Sequence, residues 1–333
     1  MGGGRLLPPH PLGPDPQAAG AVPMTSRVAL RWVASAAVLA AAVAFPFWAS
    51  RAEPYYLQIA INVVIFAVLA LSWDLLARTG QLSLAHAAFY GLGAYTSALL
   101  TLRSGLPVPA GILLGGLLAV VVAGGLGILT LRLRGIYFAI ATLAFSETLR
   151  VTTNQLRFTG AATGLVVPPL LGGGRVAQYL VILGILLLVI AISAFVNRSR
   201  WRYAVTAVRA NDEVAATMGV NVVQVKVAAF MVSAFFAGIT GAYYGHVFLF
   251  ISPIEVYSLA VSVGALVAPI FGGLYTTAGP VIGAAVLRVG EEILRTTIRS
   301  GYLIIYGLIL AVVILYMPRG LAGVWDALWR RRA

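Results

Sequence analysis

Cysteine is absent from this chain, and lysine occurs once, at Lys226. Without cysteine there is no disulfide framework, no thiolate chemistry and no cysteine-based metal site. A nucleotide-binding P-loop needs Gly-Lys-Ser/Thr, and the lone lysine stands in "QVKV", so the chain cannot bind ATP through that motif. G-x-S-x-G and H-E-x-x-H are missing as well, and no catalytic residue, cofactor or metal is assigned. Charge is scarce: Asp, Glu, Lys and Arg make up 10% of the residues, against about a quarter in a soluble domain. Hydrophobic residues make up 60%, the composition of an integral membrane protein.

Long apolar runs divided by Gly, Pro and Arg clusters specify helices rather than a barrel, whose strands would alternate apolar and polar residues. The expected fold is all-α, a polytopic transmembrane helical bundle of about ten spans. The candidate spans are 28–50, 55–77, 81–102, 107–131, 135–150, 178–197, 226–250, 255–275, 279–299 and 302–317. The run 279–299 carries Arg288, Glu291, Glu292 and Arg295, so its second half is expected at the surface or facing a cavity. Residues 1–26, rich in Gly and Pro, read as a disordered N-terminal extension. Residues 27–320 read as the transmembrane domain, and 321–333 as a basic cytoplasmic tail.

The net charge of +13 would suggest nucleic acid in a soluble domain. Here the basic residues lie between apolar runs, so membrane lipid, and no nucleic acid, is the expected surrounding. With the N-terminus inside, fifteen of the 23 basic residues fall on the inner side and eight on the outer. Both termini should therefore be cytoplasmic, together with the loop "RSRWRYAVTAVRANDEVAATMG". "GILLG" at 111–115, "GAYYG" at 241–245 and "GPVIG" at 279–283 place small residues four apart, the spacing that lets helix backbones approach closely in lipid.

"GQLSLAHAAFYGLGAY", 80–95, opens a span with Gln81, Ser83 and His86. These residues fit a broken helix beside a translocation pathway, and they equally fit polar groups bonded to neighbouring helices. Glu147 near a membrane boundary could be a proton site, but Arg150 three residues on points to a local ion pair. His246 and Glu255 flank the outer end of a hairpin and read as interfacial.

The segment "RANDEVAATMG", 209–219, is charged and too short to span. Asn211 is a good N-cap, Asp212 and Glu213 suit the first turn, and Gly219 is a natural stop. Val214 and Met218 share a face, while Ala215 and Ala216 keep another flank small. A short capped helix with an apolar knob suits insertion into a groove on a partner. "EVAATMG", 213–219, resembles the E-A-A-x-x-x-G signature of ABC importer permeases, whose coupling helix docks on the ATPase. "LRLRGIYFAIATLAFSETLR", the 80–95 block and "FGGLYTTAGPVIGA" are similar to the branched-chain amino acid permease family, LivM type, from about residue 55 to 320.

That resemblance implies a second permease subunit of the LivH type, two ATP-binding subunits and an extracytoplasmic solute-binding protein. It also makes Asn211, Asp212, Glu213, Ala215, Ala216 and Gly219 the coupling helix that contacts the ATPase. The chain departs from the family at Ala85, at "AATGL" and around Pro269 and Tyr275, where glycine is the family's usual residue for Ala85 and Tyr275. Urea and short-chain amide permeases share the pattern. An ion-coupled secondary transporter would need a buried acid, for which Glu147 is the fair candidate. A non-transporting scaffold would leave the charged segment without a purpose.

Overall fold

The computed structural model describes residues 37, 39–51, 53–130, 132–133, 135–298, 301, 304–308, 311 and 320. The extension over 1–26 and the tail over 321–333 lie outside these residues, and the expected span 302–317 does so for the most part. Residues 39–51 are helical. There follow α1 (Pro54–Ala77), α2 (His86–Ser104), α3 (Val108–Thr130), α4 (Ile136–Gln155), α5 (Arg175–Arg198), α6 (Trp201–Ala210), α7 (Asp212–Thr217), α8 (Val222–Phe248), α9 (Pro253–Val256), α10 (Leu259–Gly272) and α11 (Gly279–Ile298). Five segments among the described residues are long and apolar enough to cross a membrane: α1, α3, α5, α8 and the α9–α10 stretch Pro253–Gly272. At about 1.5 Å per residue, a helix of about twenty residues spans the roughly 30 Å hydrocarbon layer.

Apart from a two-residue antiparallel ribbon, β1 (Leu165–Val166) with β2 (Phe250–Ile251), the architecture is all-α as expected. The ribbon closes one end of the bundle. His246 belongs to that closure and is fully buried, which corrects its interfacial reading. One ring nitrogen meets Ser97 Oγ at 2.8 Å and the other meets the Pro168 carbonyl at 2.7 Å. A buried imidazole with both nitrogens partnered pins the 167–169 loop onto α2 and α8.

The span expected over 81–102 starts later, at His86. Gly80 adopts a left-handed φ of 82°, and residues 81–85 are not helical. Their backbone groups find other partners. The Trp73 indole donates to the Ser83 carbonyl (2.8 Å), Leu84 N–H donates to Thr142 Oγ1 (3.0 Å), and Ala85 N–H donates to Ser83 Oγ (3.1 Å). The Ser262 hydroxyl donates to the Leu84 carbonyl (2.7 Å) and accepts from Ala87 N–H (2.9 Å). Irregular backbone inside a membrane bundle survives only with such internal satisfaction. The 255–275 span is likewise interrupted after α9, at Tyr257, and Ser258 Oγ caps Ala260 N–H at 3.1 Å to restart it.

Glycines decide which helices touch most closely. A Cβ at Gly93 (α2) would run into the Gly238 carbonyl (α8), and one at Gly241 (α8) into the Tyr90 carbonyl (α2). Gly115 on α3 meets the Gly93 carbonyl in the same way, at 2.7 Å. Gly279 and Gly283 do this for α10 and α11, against the carbonyls of Gly273 and Ala268. Of the small-residue pairs read at 111–115, 241–245 and 279–283, Gly115, Gly241, Gly279 and Gly283 serve backbone contact, while Gly111 and Gly245 pack first against side chains. Glu147 and Arg150 form the expected local ion pair on α4, at 2.7 Å.

Candidate functional site

At the end of the bundle opposite the ribbon, α6 and α7 form a small unit with the start of α8. Val205, Val208, Ala215 and Val225 make its apolar centre, with Val220 and Val222 packed against it. Between α6 and α7 the chain turns at Asn211, whose backbone is extended. Its side-chain oxygen accepts from Glu213 N–H (2.8 Å) and Val214 N–H (3.2 Å), satisfying two of the donors a helix start leaves open. Asp212 and Glu213 then occupy the first turn, where the helix dipole favours acids.

The other end of α7 is a Schellman closure. Gly219 sits at φ 82°, Gly219 N–H returns to the Ala216 carbonyl (3.0 Å), and Val220 N–H returns to the Ala215 carbonyl (3.0 Å). The left-handed φ is what requires glycine here. A Cβ at this position would meet no atom within 4 Å, so a larger residue strains the turn rather than clashing within the chain.

Burial splits the two alanines that looked alike in sequence. Ala215 is 1% exposed and faces the small core, whereas Ala216 is on the open side. On that side Val214 is 54% and Met218 76% exposed. Asp212 is held from below by Lys226 of α8, Nζ to Oδ2 2.6 Å, with the ammonium nearly buried. This pair links α7 to the helix that follows it, and the sole lysine of the chain supplies it. Asn211→Ala should remove about 1 kcal/mol of local stability. Amide exchange across 212–217 should then quicken several-fold while the middle of α8 is unchanged; equal rates in both proteins would contradict the cap's role.

A buried ionic hub lies beneath this unit, and the sequence reading did not single it out. Asp74 and Arg78, 0% and 4% exposed, sit one turn apart at the end of α1 and pair at 2.7 Å. Arg78 also donates to Asn197 Oδ1 (3.0 Å) and Ser193 Oγ (2.8 Å) on α5, and weakly to the Thr276 carbonyl (3.4 Å). The second Asp74 oxygen accepts from Tyr275 N–H at 2.7 Å. Tyr275 is held at φ 64°, a left-handed conformation rare outside glycine, Asn and Asp. Its ring lies under the guanidinium of Arg209, 4.1 Å from the centroid, at the end of α6. The hub thus ties α1, α5 and the α10–α11 loop to the segment that presents α7.

The residues singled out around 81–86 separate in the structure. Gln81 borders a cleft of about 370 Å³ together with Asn211, Asp212, Glu213 and Lys226. Ser83 and His86 lie deeper and are fully buried, with His86 Nε2 at 2.9 Å from Ser233 Oγ on α8. The Gln81 amide oxygen and His86 Nδ1 are buried and have no hydrogen-bond partner among the described residues.

Residues 55–315 match the family described as "Branched-chain amino acid transport system / permease component". Among curated proteins, the LivM permease protein of the high-affinity branched-chain amino acid transport system of Escherichia coli K12 is 30% identical, over 86% of this chain and 73% of its own length. The Salmonella typhimurium LivM protein is 29% identical over the same shares. The LivH permease protein of the corresponding Salmonella system is 22% identical, over 81% of this chain and 96% of its own. No solved structure gives a significant match.

Proposed function

This chain belongs to the family of branched-chain amino acid transport system permease components, LivM type, and from that premise we propose that it is the multi-pass permease subunit of an ATP-driven importer moving branched-chain amino acids inward. A member of a permease family that lacks a P-loop must receive ATP-derived work from elsewhere, so two separate ATP-binding subunits and an extracytoplasmic solute-binding protein complete the assembly. The second permease is of the LivH type. Support for this pairing is that LivM and LivH proteins of the same named system both align along this chain, the relation expected of two halves of one pseudo-symmetric pore.

The observation that carries the reading is α7: a helix capped at both ends, braced from below by Lys226, with Val214 and Met218 projecting from it. We assign Asn211, Asp212, Glu213, Ala215, Ala216 and Gly219 to the coupling helix. In this account Val214 and Met218 enter a groove on the ATPase, and Ala216 lets that wall approach. Motion of the ATPase reaches α8 through the Lys226 pair. It reaches α1, α5 and the α10–α11 loop through Arg209, Tyr275 and the Asp74–Arg78 hub. We place this end in the cytoplasm with both termini, in a ten-span bundle, in keeping with the excess of basic residues assigned to that side. Gln81, Ser83 and His86, on the irregular entry to α2, are assigned to the translocation pathway. The ion-coupled alternative is weakened because Glu147 is paired with Arg150 and is not buried, and the buried Asp74 is committed to Arg78 and to Tyr275 N–H.

Met218→Asp, Glu213→Lys and Gly219→Leu test this directly. Met218→Asp puts a charge into the docking contact, and Glu213→Lys reverses one in the first turn. Gly219→Leu forces a branched residue into the left-handed region, at roughly 1–2 kcal/mol. All three proteins should reach the membrane, lose ATPase subunits on co-purification by about tenfold or more, and lose leucine uptake. Full recovery of ATPase subunits with each variant would reduce α7 to a lipid-surface loop. Uptake by wild-type cells of leucine, isoleucine and valine, but not urea or short-chain amides, is the expected solute pattern.

A further inference from the structure

Charge on a helix packed into a membrane bundle marks either a pairing or a site, and α11, packed against α1 and α10, carries an ion pair beside a cavity. Arg288 lies about ten residues into the helix, or roughly 15 Å along it. It pairs with Glu291 at 2.7 Å, and its guanidinium rests on the face of Phe66 from α1, 3.3 Å from the ring centroid. Stacking fixes the plane of the group, while the Glu291 bond uses only Nη1. Most of its five donors stay available in a fixed fork.

The fork borders a chamber of about 300 Å³ enclosed by α1, α2, α8, α9, α10 and α11. Glu255, at the start of α9, also lines it. Glu255 has no ion pair with any other described residue, so its carboxylate is uncommitted where Arg288 is held. The rest of the wall is mainly apolar: Ile65, Leu69 and Val261 are aliphatic, and Tyr244 stacks on Phe248 at 4.4 Å. A second cavity of about 170 Å³ shares Asn62 and Arg288 with the first, and Glu291, Glu292 and Arg295 line its remaining side. The two cavities adjoin at Asn62 and Arg288, so a polar cleft along α11 borders a chamber lined by one cation, one anion and a largely apolar wall.

Only a ligand with adjacent opposite charges and an apolar remainder uses all of these features. We propose that the chamber is a transit site for a zwitterionic aliphatic amino acid. Arg288 takes the α-carboxylate in bidentate fashion and Glu255 takes the α-ammonium. The side chain lies on Leu69, Val261 and Phe66. Volumes of this order fall at the small end of ligand pockets, which suits a single amino acid. This rests on the importer reading and adds to it where the solute is held within this subunit. A structural role for Arg288 alone leaves the chamber and the uncommitted Glu255 without purpose.

The test is leucine uptake and ATP hydrolysis by the complete importer in proteoliposomes, with radiolabelled solute supplied on its binding protein. Glu255→Gln and Arg288→Gln should each lower uptake at least tenfold, while hydrolysis stimulated by the loaded binding protein stays within about twofold of wild type. Val261→Phe should shift the leucine-to-valine uptake ratio at least fivefold toward valine, a change no loss of folding produces. Should Arg288→Gln fail to assemble, Glu255→Gln and Val261→Phe decide the matter. Wild-type uptake and selectivity in both would overturn the site and leave the importer reading standing, as would a parallel fall in uptake and hydrolysis. A wild-type assembly that accumulates none of the three branched-chain amino acids would overturn the importer reading, and the site with it.

Discussion

Asp74→Ala should nearly abolish the folded protein in the membrane, although the residue is far in sequence from every segment that identifies the family's coupling element. Removing the carboxylate leaves Arg78 charged inside the bundle and takes the acceptor away from Tyr275 N–H. Breaking one partner out of a buried pair typically costs about 3–5 kcal/mol, a large part of the stability of most domains. Ser193 and Asn197 can still accept from the guanidinium, but neither is charged. The double variant Asp74→Leu/Arg78→Met removes the uncompensated charge and should regain much of the loss, because a buried ion pair is often replaceable by apolar groups of similar volume. It should not regain transport, since the α10–α11 loop loses its anchor to α1. Fluorescence-detected size exclusion of tagged protein reads the first two outcomes. A single variant as abundant and as heat-stable as wild type would show that water or lipid headgroups reach Arg78.

The hub also shows where reading the sequence stops. Composition alone established a helical membrane protein, because so few charges cannot clothe a soluble surface. Local chemistry was legible too. The Asn211 cap, the Gly219 turn and the Glu147–Arg150 pair all depend on neighbours within a few residues, and the small-residue spacing marked Gly115, Gly241 and Gly283 as points of close approach without naming their distant partners. Asp74 and Arg78 stand at the i, i+4 spacing of an ion pair, a signal present in "DLLAR" but easily read as the plain end of a span. What makes the pair a hub lies more than a hundred residues away, on Ser193, Asn197 and Tyr275.

The same reason hid the chamber. Glu255 read as interfacial and Arg288 as lying at the surface or facing a cavity, and since the two come from different elements nothing in the sequence brings them to one chamber. His246 misled in the opposite way: a helix end near a predicted boundary suggests water, but the ribbon folds back over it. The start of α2 was misplaced because apolar content continues through residues 81–85, while the hydrogen bonds that straighten them come from Trp73, Thr142 and Ser262 on three other helices.

Gly241→Leu should be the most disruptive apolar substitution in the bundle, and Gly125→Leu nearly silent, though both replace a glycine in a long hydrophobic helix. In lipid the hydrophobic effect does not drive helices together. Packing does, and small residues allow backbones to meet. At Gly241 the α8 backbone lies against the Tyr90 carbonyl of α2, and one turn earlier Gly238 lies among Ala119, Gly115 and Gly116 of α3. Three helices converge there, so a side chain at 241 cannot be accommodated by moving one of them. Backbone is the obstacle, and backbone does not rotate away as a side-chain tip does. Overpacking ordinarily costs about 1–3 kcal/mol, and the upper end or beyond applies when the neighbour is main chain. The Gly125 position has no atom within 4 Å and faces outward on α3, so leucine there meets lipid and should change stability by no more than about 0.5 kcal/mol. Because the irregular 81–85 segment leads into α2 and α8 carries Lys226, separating the two helices should also cut coupling: Gly241→Leu protein that survives extraction should bind the ATPase yet transport poorly. Thermal unfolding of the two variants in detergent gives the comparison. Equal melting temperatures would mean that α2 and α8 do not meet at this depth.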